Sequence, residues 1–197
     1  GNLELIELHG EPNPAFPDFI QPEPIEANLG ALQTAVRENR ADAGIAFDGD
    51  ADRVGLVDEN GRYISTLEGF SLLTHHLLER RRQLGTVVST ITMSSMVDRL
   101  GEVYGIDTPR TAVGFKYVGP KMLETNAIIG GEESGGYAFR GHVPERDGLL
   151  SGLIFLEAMV SSRKRPSELL TDLLTITGPH SFRRVDVQFP EDQRSAL

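Results

Sequence analysis

Three aspartates, Asp48, Asp50 and Asp52, alternate with glycine and alanine directly after an apolar stretch that ends at Phe47. In an extended backbone, side chains at every second position point the same way, so the three carboxylates can converge on one point. A hard divalent cation such as Mg²⁺ would relieve their repulsion, because it binds carboxylate oxygens and completes its coordination with water or substrate phosphate. The spacing therefore predicts a Mg²⁺ site, and the next residue, Arg53, could bind phosphate as a planar fork.

Two other interpretations of this segment are a solvated acidic turn and a calcium loop. Asp48, Asp50, Asp52 and Glu59 fall on the first, third, fifth and twelfth positions of the EF-hand pattern. The sixth position of that pattern needs glycine for a sharp turn, and this chain has Arg53 there. The flanking residues also have the composition of strands and not of helices. The pattern favours a Mg²⁺ site over a calcium loop and leaves the solvated turn open.

A second candidate site is the glycine-rich run at residues 130–136, which follows an apolar stretch. Glycine-rich runs are often only flexible turns. This run, however, leaves the end of an expected strand, where ligands bind in open α/β sheets. Glu132, Glu133 and Ser134 suit the vicinal hydroxyls of a sugar, since a carboxylate can accept from two hydroxyls and the glycines let the backbone approach.

A phosphate substrate also requires cations, and this acidic chain has few of them in loops after expected strands. Lys116 follows such a strand and, with Arg53, is a leading candidate, although an ordinary surface lysine is the competing interpretation. His142 and Arg146 lie just before an expected helix and are kept as candidate substrate contacts. Asp147 is explained as the N-cap of that helix.

The composition limits the partners of the protein. The chain has 197 residues, a formal net charge of −10 and 39% hydrophobic residues. The charge argues against nucleic acid or an anionic membrane surface as the main partner, and the absence of cysteine excludes disulfides and thiolate metal sites. No apolar run has the length of a membrane span and no signal-peptide pattern opens the chain. We therefore expect a cytoplasmic protein.

Apolar strand-like segments alternate with amphipathic helices, which predicts an α/β fold of two α/β/α layered domains with mainly parallel mixed sheets. The pattern restarts near Ser65, where Ser65 and Glu68 have the spacing of a capping box. We expect the domain boundary there. Residues 1–64 would form one domain, truncated at its N-terminus, residues 65–179 a second domain, and residues 180–197 a tail.

The individual elements follow from the same patterns. A proline-rich connector after the first strand predicts a stiff loop, and Asn60-Gly61 predicts a hairpin. Strands are expected at residues 3–8, 43–47, 54–57, 63–64, 86–91, 108–113, 127–129 and 182–189. Helices are expected at residues 25–39, 65–78, 94–104, 120–124, 148–162 and 167–175.

Three of these segments carry a family resemblance. The metal loop at residues 48–53, the run Gly131-Glu132-Glu133-Ser134-Gly135 and the run Val113-Gly114-Phe115-Lys116 each resemble a motif of the α-D-phosphohexomutases, in the phosphoglucomutase/phosphomannomutase branch. The proline-rich connector is similar to the stretch upstream of that family's metal loop. The resemblance implies an enzyme of four domains, of which this chain would hold part of the second and the third.

The resemblance implies phosphoryl transfer from an enzyme phosphoserine to a hexose monophosphate, through a bisphosphate, with Mg²⁺ on the three aspartates. Arg53 and Lys116 would flank the transferring group as catalytic residues. The glycine-rich run, with His142 and Arg146, would bind the substrate, and Glu133 would favour glucose or mannose phosphates over amino sugars. The sequence contains neither the phosphoserine loop of a first domain nor the phosphate clamp of a fourth, so we expect the chain alone to be inactive.

Other functions stay open. One is a non-catalytic module that binds a metal and a sugar phosphate. Another is a metal-dependent phosphatase or a nucleotide-sugar transferase that uses Asp50 and Asp52. A transferase should also show a nucleotide-binding motif, and we find none in the sequence. The sequence does not distinguish glucose from mannose.

Overall fold

The computed structural model describes residues 3–17 and 21–182 and contains two β-sheets with helices packed on their faces. The helices are α1 (Gly30–Asn39), α2 (Thr66–Glu79), α3 (Met96–Tyr104), α4 (Phe115–Thr125), α5 (Gly148–Ser162) and α6 (Pro166–Thr177). The strands are β1 (Gly44–Phe47), β2 (Val54–Val57), β3 (Tyr63–Ile64), β4 (Val87–Thr90), β5 (Arg110–Thr111), β6 (Ile129–Gly131) and β7 (Tyr137–Phe139). The predicted α/β fold class is confirmed. No helix in the described ranges is long and apolar enough to cross a membrane.

The first sheet has the order β1-β2-β3 and is antiparallel throughout. The hairpin between β2 and β3 turns where Asn-Gly predicts it. The Asp58 carboxylate accepts from the backbone N–H groups of Asn60 (2.9 Å) and Arg62 (2.8 Å). Gly61 has φ +79°, which glycine adopts without a Cβ clash. Mainly parallel sheets were expected in both domains, but among the described residues parallel pairing is found only in the second sheet.

The second sheet has the order β5-β4-β6-β7, in which β4 is parallel to β5 and β6, and β7 is antiparallel to β6. Helix α4 packs on this sheet, and Phe70 of α2 lies against Gly131 of β6. The glycine-rich run closes a tight hairpin, since the Glu132 N–H donates to the Gly136 carbonyl (3.1 Å). The sequence pattern did not predict β7, because a three-residue strand beside two glycines offers too short a pattern to detect.

Helices α2 and α5 tie the two sheets together. Helix α2 begins with the predicted capping box: the Ser65 hydroxyl accepts from the Glu68 N–H (3.2 Å), and the Glu68 carboxylate accepts from the Ser65 N–H (2.9 Å). Apolar side chains of both sheets, among them Leu56 and Ile129, join those of α2 and α5 in one buried cluster. This shared core fixes the loops of the first sheet relative to those of the second.

Near the N-terminus, one expected strand was wrong, and one expected helix ends at the expected residue but begins later. Residues 3–8 form no strand, and Leu3 and Leu5 are 78% and 80% exposed. A strand-like composition does not produce a strand without a partner for its backbone hydrogen bonds. The helix expected from residue 25 is a 3₁₀ turn at Glu26–Asn28 followed by α1, with a break at Leu29.

Helix α4 begins at Phe115, earlier than the expected residue 120. Gly114 precedes it with φ +120°, a conformation that glycine tolerates. Pro120 lies inside the helix, where the missing N–H removes one backbone hydrogen bond. The strand expected at 108–113 is reduced to the two residues of β5. The strand expected at 182–189 lies, beyond Phe182, outside the described residues.

His76 is a buried titratable group of α2. Its side chain is 3% exposed, and its Nε2 lies 3.3 Å from Oε1 of Glu157 on α5. Arg81 pairs with the same carboxylate. Burial lowers the pKa of His76 more than the Glu157 carboxylate raises it. The folded protein therefore favours the neutral imidazole.

Gly148 is the first residue of α5 and touches the loop between β1 and β2. Its N–H donates to the Ala51 carbonyl (2.9 Å), and a Cβ at this position would lie 2.6 Å from the carbonyl oxygen of Arg53. The loop and the helix therefore approach too closely for any side chain. Asp147 is the N-cap that the sequence predicted, since its carboxylate accepts from the Leu150 N–H (2.8 Å).

We expect His76 to make the protein less stable in mild acid. An unfolded histidine titrates near about 6.5, above the lowered folded pKa. Below that pH the unfolded state takes up the proton first, so the free energy of unfolding falls as pH falls. His76→Gln keeps a neutral side chain and should flatten the pH profile of urea denaturation between about pH 7 and about pH 5. Equal slopes for the variant and the wild type would contradict this.

Gly148→Ala should displace the loop between β1 and β2 from α5 and lower the free energy of unfolding by about 1–3 kcal/mol. Gly30→Ala is the matched control, because Gly30 is also the first residue of a helix and a Cβ there would meet nothing within 4 Å. The control should be neutral or slightly stabilised. Equal melting temperatures for the two variants would argue against the close approach at Gly148.

Candidate functional site

The acidic loop at residues 48–53 joins β1 to β2 and turns sharply. The Ala51 N–H donates to the Asp48 carbonyl (3.1 Å), and Ala51 has φ +57°. One carboxylate oxygen from each of Asp48, Asp50 and Asp52 lies within 4.8 Å of the other two. The three predicted metal ligands thus converge, although a turn and not an extended backbone brings them together.

Arg53 is held against the acidic loop by carboxylates. Its backbone N–H and its Nε donate to the Asp48 carboxylate (3.0 and 2.5 Å), and its Nη1 donates to Glu23 of the proline-rich connector (3.0 Å). Burial raises the pKa of Asp48, but the hydrogen bonds from Arg53 outweigh burial and lower it overall. Arg53, predicted as a catalytic phosphate ligand, therefore uses two of its side-chain donors to organise the loop.

Asp52 is less well compensated than Asp48. Burial raises its pKa to about 6, the neighbouring Asp48 and Asp50 add to the rise, and Arg146 opposes it. Burial, with the neighbouring carboxylates, therefore disfavours the charged form of Asp52, and a divalent cation would favour it. Ligand oxygens on one Mg²⁺ are at most about 4.2 Å apart, so the three carboxylates fit such an ion after a small contraction. These residues can hold a metal.

The two glutamates of the glycine-rich loop are anchored by protein donors. Glu132 is 5% exposed and accepts from the Gly114 N–H (2.8 Å), and burial raises its pKa. Glu133 accepts from the Thr92 hydroxyl through its carboxylate and from the Thr66 hydroxyl through its carbonyl (2.5 Å). Both carboxylates are therefore held in place by the fold.

Ser134 and its flanking glycines complete the glycine-rich loop. The Ser134 hydroxyl is buried and has no hydrogen-bond partner among the described residues, so its hydrogen-bonding capacity is unused. Gly135 has φ +95°, and a Cβ on it would lie 2.8 Å from the Val54 carbonyl. A Cβ on Gly131 would lie 2.4 Å from the Phe70 ring. The glycines are therefore required to seat the loop against β2 and α2.

The acidic loop at residues 48–53 and the glycine-rich loop at residues 130–136 lie against each other, and we call the site that they share the cleft. A β-bridge pairs Arg53 with Gly136. Arg146 spans the two loops, since its Nη2 lies 2.6 Å from Oδ2 of Asp52 and its Nη1 lies 3.8 Å from Oε2 of Glu132. The structure therefore brings the predicted metal ligands and the predicted sugar ligands together.

Lys116 and His142 are less tightly connected to this cleft. Lys116 is exposed on the first turn of α4, two residues after the Gly114 amide that contacts Glu132. Nε2 of His142 lies 2.9 Å from Oδ2 of Asp147, which places it at the N-cap of α5. Their roles in binding or catalysis stay predictions.

Sequence reasoning missed three supporting residues, Glu23, Thr66 and Thr92. Thr92 had a signal that could have found it, because it follows β4 at the sheet edge where the glycine-rich loop leaves the neighbouring parallel strand β6. The contacts of Glu23 and Thr66 join residues far apart in sequence. No local pattern reveals such pairs.

Comparisons with known proteins agree with this geometry. Residues 1–61 match the alpha/beta/alpha domain II of phosphoglucomutase/phosphomannomutase, and residues 68–176 match its domain III. A phosphoglucomutase/phosphomannomutase of Thermococcus kodakarensis is 38% identical over 170 residues, which cover 86% of this chain and 37% of that protein. A phosphoglucosamine mutase of Acetivibrio thermocellus is 40% identical over 146 residues, which cover 72% of this chain and 32% of that protein.

Among solved structures, a protein assigned as a phosphomannomutase from Thermus thermophilus matches with a TM-score of 0.76 and 35% identity, over 80% of this chain and 36% of that one. The chain thus spans about a third of the length of these relatives. The acidic loop lies in the range that matches domain II, and the glycine-rich loop lies in the range that matches domain III. The chain belongs to the phosphoglucomutase/phosphomannomutase family of α-D-phosphohexomutases.

Proposed function

We propose that this chain supplies the metal loop and the sugar loop of a phosphohexomutase that interconverts hexose 1-phosphate and hexose 6-phosphate. The observation that carries the proposal is the shared cleft, in which Arg146 joins the three convergent carboxylates to a glycine-rich loop with anchored glutamates. Family membership supports the reaction class. Because the chain spans about a third of its relatives, the activity is proposed for a whole protein of their length.

Asp48, Asp50 and Asp52 would hold Mg²⁺ in this proposal, because an all-oxygen set of carboxylates suits a hard cation. The ion would supply charge neutralisation for the oxygens of a transferring phosphoryl group. Arg53 holds the Asp48 carboxylate in place and Arg146 contacts Asp52. The chain's own contribution to the metal site is therefore the orientation of its ligands.

The glycine-rich loop would bind the sugar. A mutase substrate must bind with its phosphate at either end, so recognition has to rest on hydroxyls that both orientations share. Glu132 and Ser134 would make such contacts. The Glu132 carboxylate is anchored by the Gly114 N–H, and the Ser134 hydroxyl has no partner among the described residues. Gly131 and Gly135 let the loop backbone lie close to the adjoining elements. Cationic groups for the substrate phosphate would come from Lys116 and Arg146, with His142 as a further candidate.

The sugar itself is the finer part of the proposal. Glu133, anchored by Thr92, is the residue on which we base a glucose or mannose phosphate. Relatives named phosphoglucomutase/phosphomannomutase and phosphoglucosamine mutase are 38% and 40% identical to this chain, so their names do not separate the sugars. Glucosamine phosphate is therefore the alternative that a titration must test.

Further parts of the proposal concern the whole protein. Residues 1–64 and 65–179 would belong to its second and third domains, and residues 180–197 would lead to a fourth. The phosphoserine would come from domain 1 and the phosphate clamp from domain 4. Transfer of the phosphoryl group from the phosphoserine to the hexose monophosphate would give the bisphosphate, and the enzyme would work in the cytoplasm. The chain alone would then bind hexose phosphates and convert none. A metal-dependent phosphatase that uses Asp50 and Asp52 is the alternative that release of inorganic phosphate would reveal.

Asp50→Asn should weaken Mn²⁺ binding by roughly tenfold or more, because it removes one of three charged ligands from the site. Asp42→Asn is the matched control, since Asp42 is an exposed aspartate outside the triad. Isothermal titration calorimetry of both variants measures the difference. If the two bind Mn²⁺ equally well, the triad is not the metal site.

Ser134→Ala should weaken the binding of glucose 1-phosphate and glucose 6-phosphate by about two- to tenfold, since one hydrogen bond contributes about 0.5–1.5 kcal/mol. Ser161→Ala is the control, because Ser161 lies in the last turn of α5 and belongs to neither loop. Calorimetry in saturating Mg²⁺ gives both affinities. Equal losses in the two variants would remove Ser134 from the sugar site.

Phosphorus NMR of the wild-type chain with each hexose phosphate tests the reaction class. The proposal expects the chain alone to bind both phosphates and to leave each one unchanged. Release of inorganic phosphate would indicate a phosphatase and contradict the proposal. Tighter binding of glucosamine phosphate than of glucose or mannose phosphate would assign the site to amino sugars.

A further inference from the structure

The Arg146 guanidinium contacts both loops of the cleft. Nη2 lies 2.6 Å from Oδ2 of Asp52, whereas Nη1 lies 3.8 Å from Oε2 of Glu132. Its Nε lies 3.5 Å from Glu145 and has no hydrogen-bond partner among the described residues. The aliphatic stem packs on Gly136, where a Cβ would lie 2.2 Å from Cδ of Arg146. The guanidinium therefore has a tight contact with Asp52 of the acidic loop and a loose one with Glu132 of the glycine-rich loop, whereas the stem packs closely on Gly136.

Asp52 is both a proposed metal ligand and the tight partner of Arg146. Coordination of Asp52 by a divalent cation would reduce the negative charge that its oxygens present to the guanidinium. It would also place a second positive charge close to Arg146. Both effects weaken the ion pair between Arg146 and Asp52. Glu132 offers the guanidinium a second, buried carboxylate on the other side of the cleft.

We propose that Arg146 is a positioning residue that couples the metal loop to the sugar loop. Cation binding at the triad shifts the guanidinium from Asp52 towards Glu132 and towards the phosphate of an incoming sugar phosphate. The inference rests on the proposed function, because it requires a divalent cation on the aspartates. Coupling of this kind is reciprocal, so the sugar phosphate tightens cation binding by the same factor by which the cation tightens sugar-phosphate binding.

Contacts of Glu132 extend this coupling from the glycine-rich loop to Gly114, the residue before α4. Oε1 of Glu132 accepts from the Gly114 N–H (2.8 Å), so the Gly114 amide senses a change of charge at Glu132. The Phe115 ring lies next to that amide in sequence, and its centroid is 5.9 Å from the Arg146 guanidinium carbon. A second route bypasses Arg146, because the Val54 N–H donates directly to the Gly135 carbonyl (3.0 Å). The Gly114 and Val54 amides therefore report the two routes separately.

The test is a titration of the isotope-labelled chain with Mg²⁺ alone, followed by nitrogen–proton NMR. In the wild type, the amides of Asp50 and Gly114 and the Nε–Hε group of Arg146 should shift with one common apparent Kd. In Arg146→Met, which keeps an unbranched stem on Gly136, the Asp50 and Val54 amides should still shift. The Gly114 amide should no longer respond.

The same titrations give the Mg²⁺ affinity of each variant. The direction in which Arg146→Met changes this affinity shows whether the guanidinium opposes cation binding at Asp52 or supports it. Removing the guanidinium charge in Arg146→Met should tighten Mg²⁺ binding roughly tenfold, whereas Arg146→Lys should return the affinity close to the wild-type value. Glu145→Gln is the matched control, since it removes the charge of the 3.5 Å partner of Arg146 and Glu145 belongs to neither loop. It should retain the wild-type affinity and the Gly114 response.

Three results would overturn the coupling while leaving the metal site in place. The first is a Gly114 shift that persists in Arg146→Met, and the second is Mg²⁺ binding that is equal or weaker in that variant. The third is a wild-type Arg146 Nε–Hε signal that does not shift when Mg²⁺ is added. The last readout needs no variant, so it decides the matter even if Arg146→Met fails to fold. Absence of any shift at Asp50 in the wild type would instead overturn the proposed function itself.

Discussion

The close approach of three carboxylates, each with an oxygen within 4.8 Å of the other two, is the constraint on which the cleft depends. Their repulsion has to be offset by positive charge. Arg53 contributes from the loop itself, and Arg146 contributes from the segment before α5. Asp52 nevertheless keeps a pKa raised to about 6, with burial as its main cause. The three carboxylates can therefore hold a metal ion, which would stabilise their charged forms.

The fold meets this constraint by bringing loops of both sheets to one place. The acidic loop leaves β1, and the glycine-rich loop leaves β6. The start of α5 lies against the acidic loop through Gly148, and the core shared by α2 and α5 keeps the sheets together. Glycines lie where backbones approach closely, and the Glu132 and Glu133 carboxylates are held by the Gly114 N–H and the Thr92 hydroxyl. The rigid elements thus position charged groups that would otherwise repel one another.

Features with a local cause could be predicted from the sequence. The capping box at Ser65, the Asn-Gly hairpin and the bounds of α5 depend on neighbouring residues and were confirmed. The alternation of aspartates also indicated their convergence. The strand expected at residues 3–8 was wrong, because strand formation depends on a partner and not on composition. Contacts such as Arg53 with Glu23 depend on the folded chain as a whole, and no local pattern contains them.

The proposed function requires the acidic loop and the glycine-rich loop to form one cleft. Paramagnetic broadening of amide signals by a small amount of Mn²⁺ tests it most directly, because the effect depends on distance from the ion and not on sequence separation. We expect Mn²⁺ to broaden strongly the amide signals of residues 48–53 together with those of residues 131–136 and Gly114. Broadening limited to residues 48–53, or scattered over acidic residues elsewhere on the surface, would contradict it.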